Sequence, residues 1–423
     1  MKLSFAGPVP AAIGPRTVFV AATVAYSLYY VCRLSLPVVK SRLVDEGVLT
    51  PVQLGWVGSA LFFAYAVGKL VNGFLADRVD LRRFASLGLA GTAFVNLALG
   101  FAGGFWFFFA LWLANGWFQS MGAPSFVVAL TRWFAPKERG TYYGIWSTSH
   151  NLGEALSFVL TSAVVAHAGW RAGFGVAALA GLVGVALLWT CFGDRPAAHD
   201  ALRLSQAERR AAIGAEQWRL LKRPAVWSIA AASASMYVAR YAMNSWGIFY
   251  LEKGRGYSPM EASSLLSLSA VAGIVGTVLS GWLSDRWCEG NRFKPAILCG
   301  ALNTAALLAL LCAPDRIFWL DATSLVVFGV SVGALICYLG GLMVVDLVPP
   351  AAAGAALGVV GIASYVGAGL QDVISGHLIA AGQRIIAGRT SYDFRWAGGF
   401  WIAAAALSTF TTFLTWRISR RLS

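Results

Sequence analysis

Long apolar runs separated by short polar breaks dominate the chain. Runs of spanning length fall at 17–39, 53–76, 84–103, 105–131, 140–166 and 170–192, then at 225–250, 261–284, 295–313, 318–346, 351–381 and 396–416. A membrane-crossing helix needs about 20 apolar residues, so these twelve runs in two blocks of six predict an all-α membrane protein. Phe84 to Thr131 carries no charge and is too long for one span; Ala102-Gly103-Gly104 is the expected turn between two. The polar stretch between the blocks holds seven Lys and Arg against four acids. Within it, Ser205 fits the N-cap of a surface helix. The predicted domains are a six-helix bundle at 1–192, a linker at 193–223 and a second six-helix bundle at 224–423.

Composition narrows the class. Of 423 residues, 58% are hydrophobic and 12% charged, against about 25% charged in soluble proteins. That excludes a soluble globular enzyme and a disordered chain. A net charge of +14 raises the question of nucleic acid, and the distribution of the basic residues answers it. With both termini inside, the inner segments carry 21 Lys and Arg, the outer loops nine, and the spans three. The excess is the positive-inside signal, so both termini and the linker are expected in the cytoplasm, with no nucleic-acid partner. The first apolar run contains Arg33 and no cleavage site, and is expected to be a retained span. Six cysteines lie singly in or beside apolar runs, where they pack. No metal-ligand spacing, ATP-binding motif or enzyme constellation stands out, so no metal, cofactor or catalytic residue is expected.

The two blocks repeat each other. Gly73-Phe-Leu-Ala-Asp77-Arg78 closes span 2, and Gly281-Trp-Leu-Ser-Asp285-Arg286 closes span 8, offset by 208. Pro136 to Gly140 matches Pro350 to Gly354 at an offset of 214, and Arg33 matches Arg240 at 207. Two parallel six-span repeats point to a transporter of the major facilitator type, with twelve transmembrane helices in two pseudo-symmetric six-helix bundles.

Gly73-x-x-x-Asp77-Arg78-x-x-x-Arg82-Arg83 resembles the major facilitator signature, with Asp80 in place of its usual second glycine. More narrowly, the chain resembles the organophosphate:phosphate antiporter family. That family contains bacterial glycerol-3-phosphate and hexose-phosphate transporters, a hexose-phosphate sensor and the animal glucose-6-phosphate translocase. The first half matches at Tyr26-Ser-Leu-Tyr29-Tyr30-Val-Cys-Arg33, Ala64-Tyr65-Ala-Val-Gly68-Lys69 and Phe118-Gln119-Ser-Met121-Gly122-Ala-Pro124. It matches again at Trp133 to Gly140 and at Trp146-Ser-Thr-Ser-His150-Asn151-Leu-Gly153. The second half matches at Tyr237-Val-Ala-Arg240, Asn244-Ser-Trp246 and Tyr365-Val-Gly367. The resemblance implies that Arg33 and Arg240 form a phosphate site, with Lys69 and His150 nearby and Tyr30, Trp146, Tyr237 and Tyr365 lining the cavity. Ala123, where related members have Trp, and Glu154, where they have a small residue, bear on the organic half of the substrate.

The residues support part of this without the family. A charge near mid-bilayer costs about 2.5–3.5 kcal/mol, so buried cations persist where they face a polar cavity or a partner. A pseudo-two-fold axis along the membrane normal would bring Arg33 and Arg240 face to face, where two guanidiniums can fork onto one tetrahedral anion. Arg33 lies late in span 1, and snorkelling to headgroups is its bland alternative. Lys69 either adds a point charge or pairs with Asp77. His150, with an ordinary pKa of about 6.5, could follow the second ionisation of phosphate near about 6. His150 and Glu154 stand one turn apart with Asn151 between them. Glu154 either steadies span 5 through His150, neutralises Lys69, or reads hydroxyls or an amine on the substrate. Asp372, with His377 behind it, could carry a proton or tie down a second-half cation. Asp77, Arg78, Arg82, Arg83, Asp285 and Arg286 are expected to gate the cytoplasmic ends, with Arg139 joining them; simple topology is the alternative for these charges.

The leading expectation is an antiporter in the plasma (bacterial inner) membrane. It exchanges an organic phosphate, a sugar phosphate first among them, for inorganic phosphate by alternating access. Two rivals remain. One is a transporter-like sensor of external hexose phosphate, which would signal to a histidine kinase. The other is an organic anion:proton symporter using Glu154 or Asp372.

Overall fold

The computed structural model describes residues 14–76, 78–135, 137–193, 224–288, 291–313, 316–348, 353–386 and 389–422. The linker from 194, Asp77, the side chain of Asp285, and the Pro136 and Pro350 ends of the repeat match lie outside the described residues.

Every apolar run becomes helix. In the first block these are α1 (Pro15–Arg33), α2 (Ser35–Asp45), α3 (Pro51–Ala76), α4 (Leu81–Leu99), α5 (Phe105–Gln119), α6 (Gly122–Trp133), α7 (Arg139–Ser147) and α8 (Ser149–Cys191). In the second they are α9 (Pro224–Lys253), α10 (Pro259–Arg286), α11 (Phe293–Cys312), α12 (Phe318–Cys337), a π turn (Tyr338–Leu342), α13 (Met343–Asp346), α14 (Ala353–Ala381) and α15 (Arg395–Leu422). By length and composition, eight helical stretches among the described residues can cross a membrane. One of them, Arg139–Cys191, contains two of the predicted runs.

The breaks have local causes. Gly169 interrupts α8 with φ 79 and ψ 173, angles that L side chains avoid. It falls between the runs predicted at 140–166 and 170–192. Gly104 is the N-cap of α5, at the turn expected between spans 3 and 4. Asp80 caps α4 by accepting the Arg83 N–H at 2.8 Å. The acid at the usual glycine position therefore starts the next helix. At the start of α10, Ser258 and Glu261 form a reciprocal capping box. A two-stranded hairpin, Gln383–Ile386 against Arg389–Tyr392, precedes α15 and has no counterpart in the sequence expectations.

The chain groups into two compact units, Met1–Leu49 with Ala60–His199 and Thr50–Ser59 with Asp200–Ser423. The opening turns of α3 therefore group with the second unit, a division that sequence patterning does not anticipate. Small residues set the packing inside each unit. In the first, a Cβ on Gly153 would collide with the Ser27 carbonyl, and one on Gly116 with the Leu61 carbonyl. In the second, Gly276, Gly329 and Gly333 lie against the backbones of Val330, Ser269 and Gly273. In a bilayer, where lipid is as apolar as leucine, such close approach is a main source of helix association.

Candidate functional site

In the first unit, α1 carries Tyr26, Tyr30 and Arg33 at spacings of four and three, which places them along one face. Arg33 is 3% exposed. Its guanidinium carbon lies 4.6 Å from the ring centre of Tyr65, 5.4 Å from Tyr30 and 5.8 Å from Phe62. A side chain reaching for headgroups would not be sheathed in this way. The rings offset part of the cost of desolvating the cation. Lys69 lies one turn beyond Tyr65 on α3 and is exposed.

The break at Thr148 between α7 and α8 sets the other wall. Trp146, on its near side, stacks on Tyr26 at 4.7 Å between ring centres. His150, on its far side, lies 5.8 Å from the Tyr30 ring. Trp146, His150, Asn151 and Glu154 are all buried. The contact of Gly153 with α1 holds this wall close, and Ser27 adds a hydrogen bond to the Ser149 carbonyl at 2.9 Å. Arg33, Tyr30, Trp146, His150, Asn151 and Glu154 thus all lie at or beside one helix–helix contact.

The second unit repeats one part of this, a buried arginine with a tyrosine three residues before it. Arg240 is 4% exposed, with its guanidinium 5.2 Å from the Tyr241 ring and 5.8 Å from Tyr237. Tyr237 meets Tyr365 of α14 edge to face at 5.6 Å. Asp372, also on α14, is fully buried and accepts the Ser245 hydroxyl at 2.6 Å. Gly55 and Gly58 of the α3 opening close over it. His377 is exposed and bonds back to the Val373 carbonyl.

The gating residues that are described stand at or beside helix ends in both units. Arg78, Arg83 and Arg286 are exposed. Arg82 packs its guanidinium 5.1 Å from the Trp189 ring. Arg139 donates to the carbonyls of Thr131 at 2.6 Å and Phe134 at 3.0 Å, which caps the end of α6. A further ion pair at this end of the repeat, Arg292 with Asp346 at 3.4 Å, was not among the expectations.

Sequence reasoning missed three other groups. Arg255 is buried and donates to the Tyr250 hydroxyl and the Ala313 carbonyl, each at 2.9 Å, and to Leu310; it lies 3.7 Å from Asp321. Tyr257 donates to the same Asp321 at 2.7 Å. In the sequence Arg255 is one of the nine outer-loop charges, with nothing beside it to signal a buried partner. Lys40 is fully buried on α2. Ser35, Thr92, Asn96, Asn115 and Gln119 form a buried polar group around α1. Three of these, amides inside a charge-free apolar run, were a signal open to reading. Just before α15, the Asp393 carboxyl is held down to a pKa of about 2 by Arg395, whose guanidinium donates to it at 2.6 Å.

Two bundles, each burying an arginine under aromatic rings, define a duplicated multi-pass membrane protein. The chain belongs to the Major Facilitator Superfamily, whose family model matches residues 17–371. Its membership is of transporters rather than enzymes. The chain is similar to the membrane sensor protein UhpC of Salmonella typhimurium, 31% identical over 375 residues, 84% of this chain and 83% of that one. It is also similar to a probable hexose phosphate transport protein of Chlamydia pneumoniae, 31% identical over 382 residues, 83% and 82% of the two chains. Among solved structures, a bacterial homologue of the human lysosomal transporter Spinster matches with a TM-score of 0.75. At 17% identity, covering 97% of this chain and 98% of that one, it shares the fold.

Proposed function

We propose that the protein exchanges an organic phosphate ester, with a sugar phosphate as the leading class, for inorganic phosphate by alternating access. The observation that carries this reading is the matched pair of buried arginines, Arg33 and Arg240, each sheathed by tyrosines at corresponding places in the two repeats. Intramembrane cations held at such cost are functional by default. In this reading both guanidiniums bind the phosphoryl group through bidentate hydrogen bonds. Lys69 adds charge, and His150 offers a ring nitrogen to the anion. Tyr30, Trp146, Asn151, Glu154, Tyr237 and Tyr365 contact the rest of the substrate. An empty, doubly cationic site resists reorientation, which gives obligatory exchange instead of leak. The halves 1–192 and 224–423 move about the site, joined by the linker 193–223. Asp77, Arg78, Arg82, Arg83, Arg139, Asp285 and Arg286 gate the cytoplasmic ends. The basic-residue distribution supports both termini in the cytoplasm, and similarity to bacterial membrane proteins supports a bacterial inner-membrane location.

The test is uptake of radiolabelled phosphate into proteoliposomes. Uptake that requires internal phosphate and is competed by glucose 6-phosphate is expected; uptake independent of internal phosphate overturns the exchange. A second reading, a sensor of external hexose phosphate, draws support from the similarity to a membrane sensor protein. It predicts ester binding without flux.

A further inference from the structure

We infer that Asn96, Asn115 and Gln119 are positioning residues that aim Arg33, an inference that rests on Arg33 being a phosphate ligand. Helix α1 stops at Arg33, where Leu34 leaves helical angles with φ -105 and ψ 10 before α2 begins at Ser35. A break there disturbs the carbonyl ladder beside the arginine. An unsatisfied carbonyl inside a bilayer is costly.

Side-chain amides bond two carbonyls of the last turn of α1, that of Cys32 at the break and that of Tyr29 just before it. The Cys32 carbonyl, next to Arg33, accepts from the Asn96 amide at 3.0 Å and from the Asn115 amide at 3.4 Å. The Tyr29 carbonyl, one turn earlier, accepts from the Gln119 amide at 2.8 Å. The donors then lock one another. Gln119 also donates to the Thr92 hydroxyl at 3.0 Å, Thr92 donates to Asn115, and Ser35 donates to Asn96 at 2.6 Å. Thr92 and Asn96 are one turn apart on α4, as are Asn115 and Gln119 on α5, so each helix presents a pair on one face. Asn96 and Asn115 are fully buried, and Gln119 nearly so. The amides grip the backbone of α1, while the guanidinium meets Tyr30, Phe62 and Tyr65. The network thus fixes the one turn whose bend decides where the arginine fork points. A fork is directional, and small misplacements weaken it steeply.

Phosphate exchange in proteoliposomes tests this through KM and maximal rate. Asn96→Ala is expected to raise KM for phosphate about tenfold while leaving the maximal rate within about twofold. In an Arg33→Lys background the same change should move KM less than about twofold, because a flexible point charge needs no aiming. Equal losses in both backgrounds, or a loss confined to maximal rate, overturn the inference. Gln119→Met, which removes the donor to Tyr29 at similar volume, replaces Asn96→Ala should that variant fail to insert. Ser408→Ala, which removes a buried hydroxyl bonded to Ala232 in the other unit, is the control. Should the parent show no exchange, the function above has failed and a substrate-free readout takes over. Phenylglyoxal labelling of Arg33, read by mass spectrometry, is expected to quicken about fivefold in Asn96→Ala with Arg240 labelling unchanged. Unchanged Arg33 labelling overturns the inference.

Discussion

Replacing Arg33 by lysine keeps the charge and removes the fork. The guanidinium lies within 4.6 to 5.8 Å of three aromatic ring centres, so its orientation is held before any anion arrives. A lysine ammonium retains part of that cation–π attraction, about 0.5–2 kcal/mol for a desolvated contact. It cannot form two parallel hydrogen bonds to one phosphoryl group. One charge-assisted hydrogen bond is worth about 1.5–3 kcal/mol. At about 1.4 kcal/mol per factor of ten, Arg33→Lys should raise KM for phosphate roughly tenfold to a hundredfold. Arg240, with rings at 5.2 and 5.8 Å, should lose a similar amount when changed to lysine. The assay is initial-rate phosphate exchange over a concentration series, with monodispersity confirming folded protein. A KM within about twofold of the parent in both variants would refute the reasoning, because charge alone would then suffice.

Other expectations follow from single contacts. Gly169→Ala should lower stability by about 1–3 kcal/mol in detergent melts; a Cβ there meets nothing within 4 Å, so the whole cost is backbone strain. Asp321→Leu should destabilise by about 3–5 kcal/mol, because it strips Arg255 of its carboxylate and Tyr257 of its acceptor; an unchanged melting temperature would contradict the cluster's role. The Asp393 carboxyl is held from its usual 3.8 down to about 2 by Arg395. A depressed folded-state pKa means that the stabilisation is complete above about 3.8 and fades as pH falls through about 2. Parent and Asp393→Asn melting curves should therefore converge across that window; a constant difference would contradict the ion pair. Asp80→Ala should cost about 1 kcal/mol by uncapping α4, read in the same melts.

Element type was legible because membrane helices announce themselves through length and apolarity. The turn before Phe105 and the break at Gly169 were legible because glycine marks both. The interruptions at Leu34, at Thr148 and in the π turn at Tyr338–Leu342 were not. Apolar patterning records which residues face lipid, and a bent span is as apolar as a straight one. The hairpin at 383–392 went unseen because four-residue strands carry too little periodicity. For the site, Arg33 and Arg240 were legible from charge inside a span and from their repeat offset. Their aromatic sheath was legible only in part. Tyr30 and Tyr237 share a helix with their arginines, whereas Phe62 and Tyr65 reach Arg33 from a different helix. The hydroxyl partner of Asp372 could not be read at all, since Ser245 lies 127 positions away.

Counterflow tests the central claim most directly. Proteoliposomes loaded with radiolabelled phosphate should release it when glucose 6-phosphate is added outside and retain it in plain buffer. The Arg33→Ala/Arg240→Ala protein should release nothing above empty liposomes. Release in buffer alone, or release that survives loss of both arginines, would contradict the account.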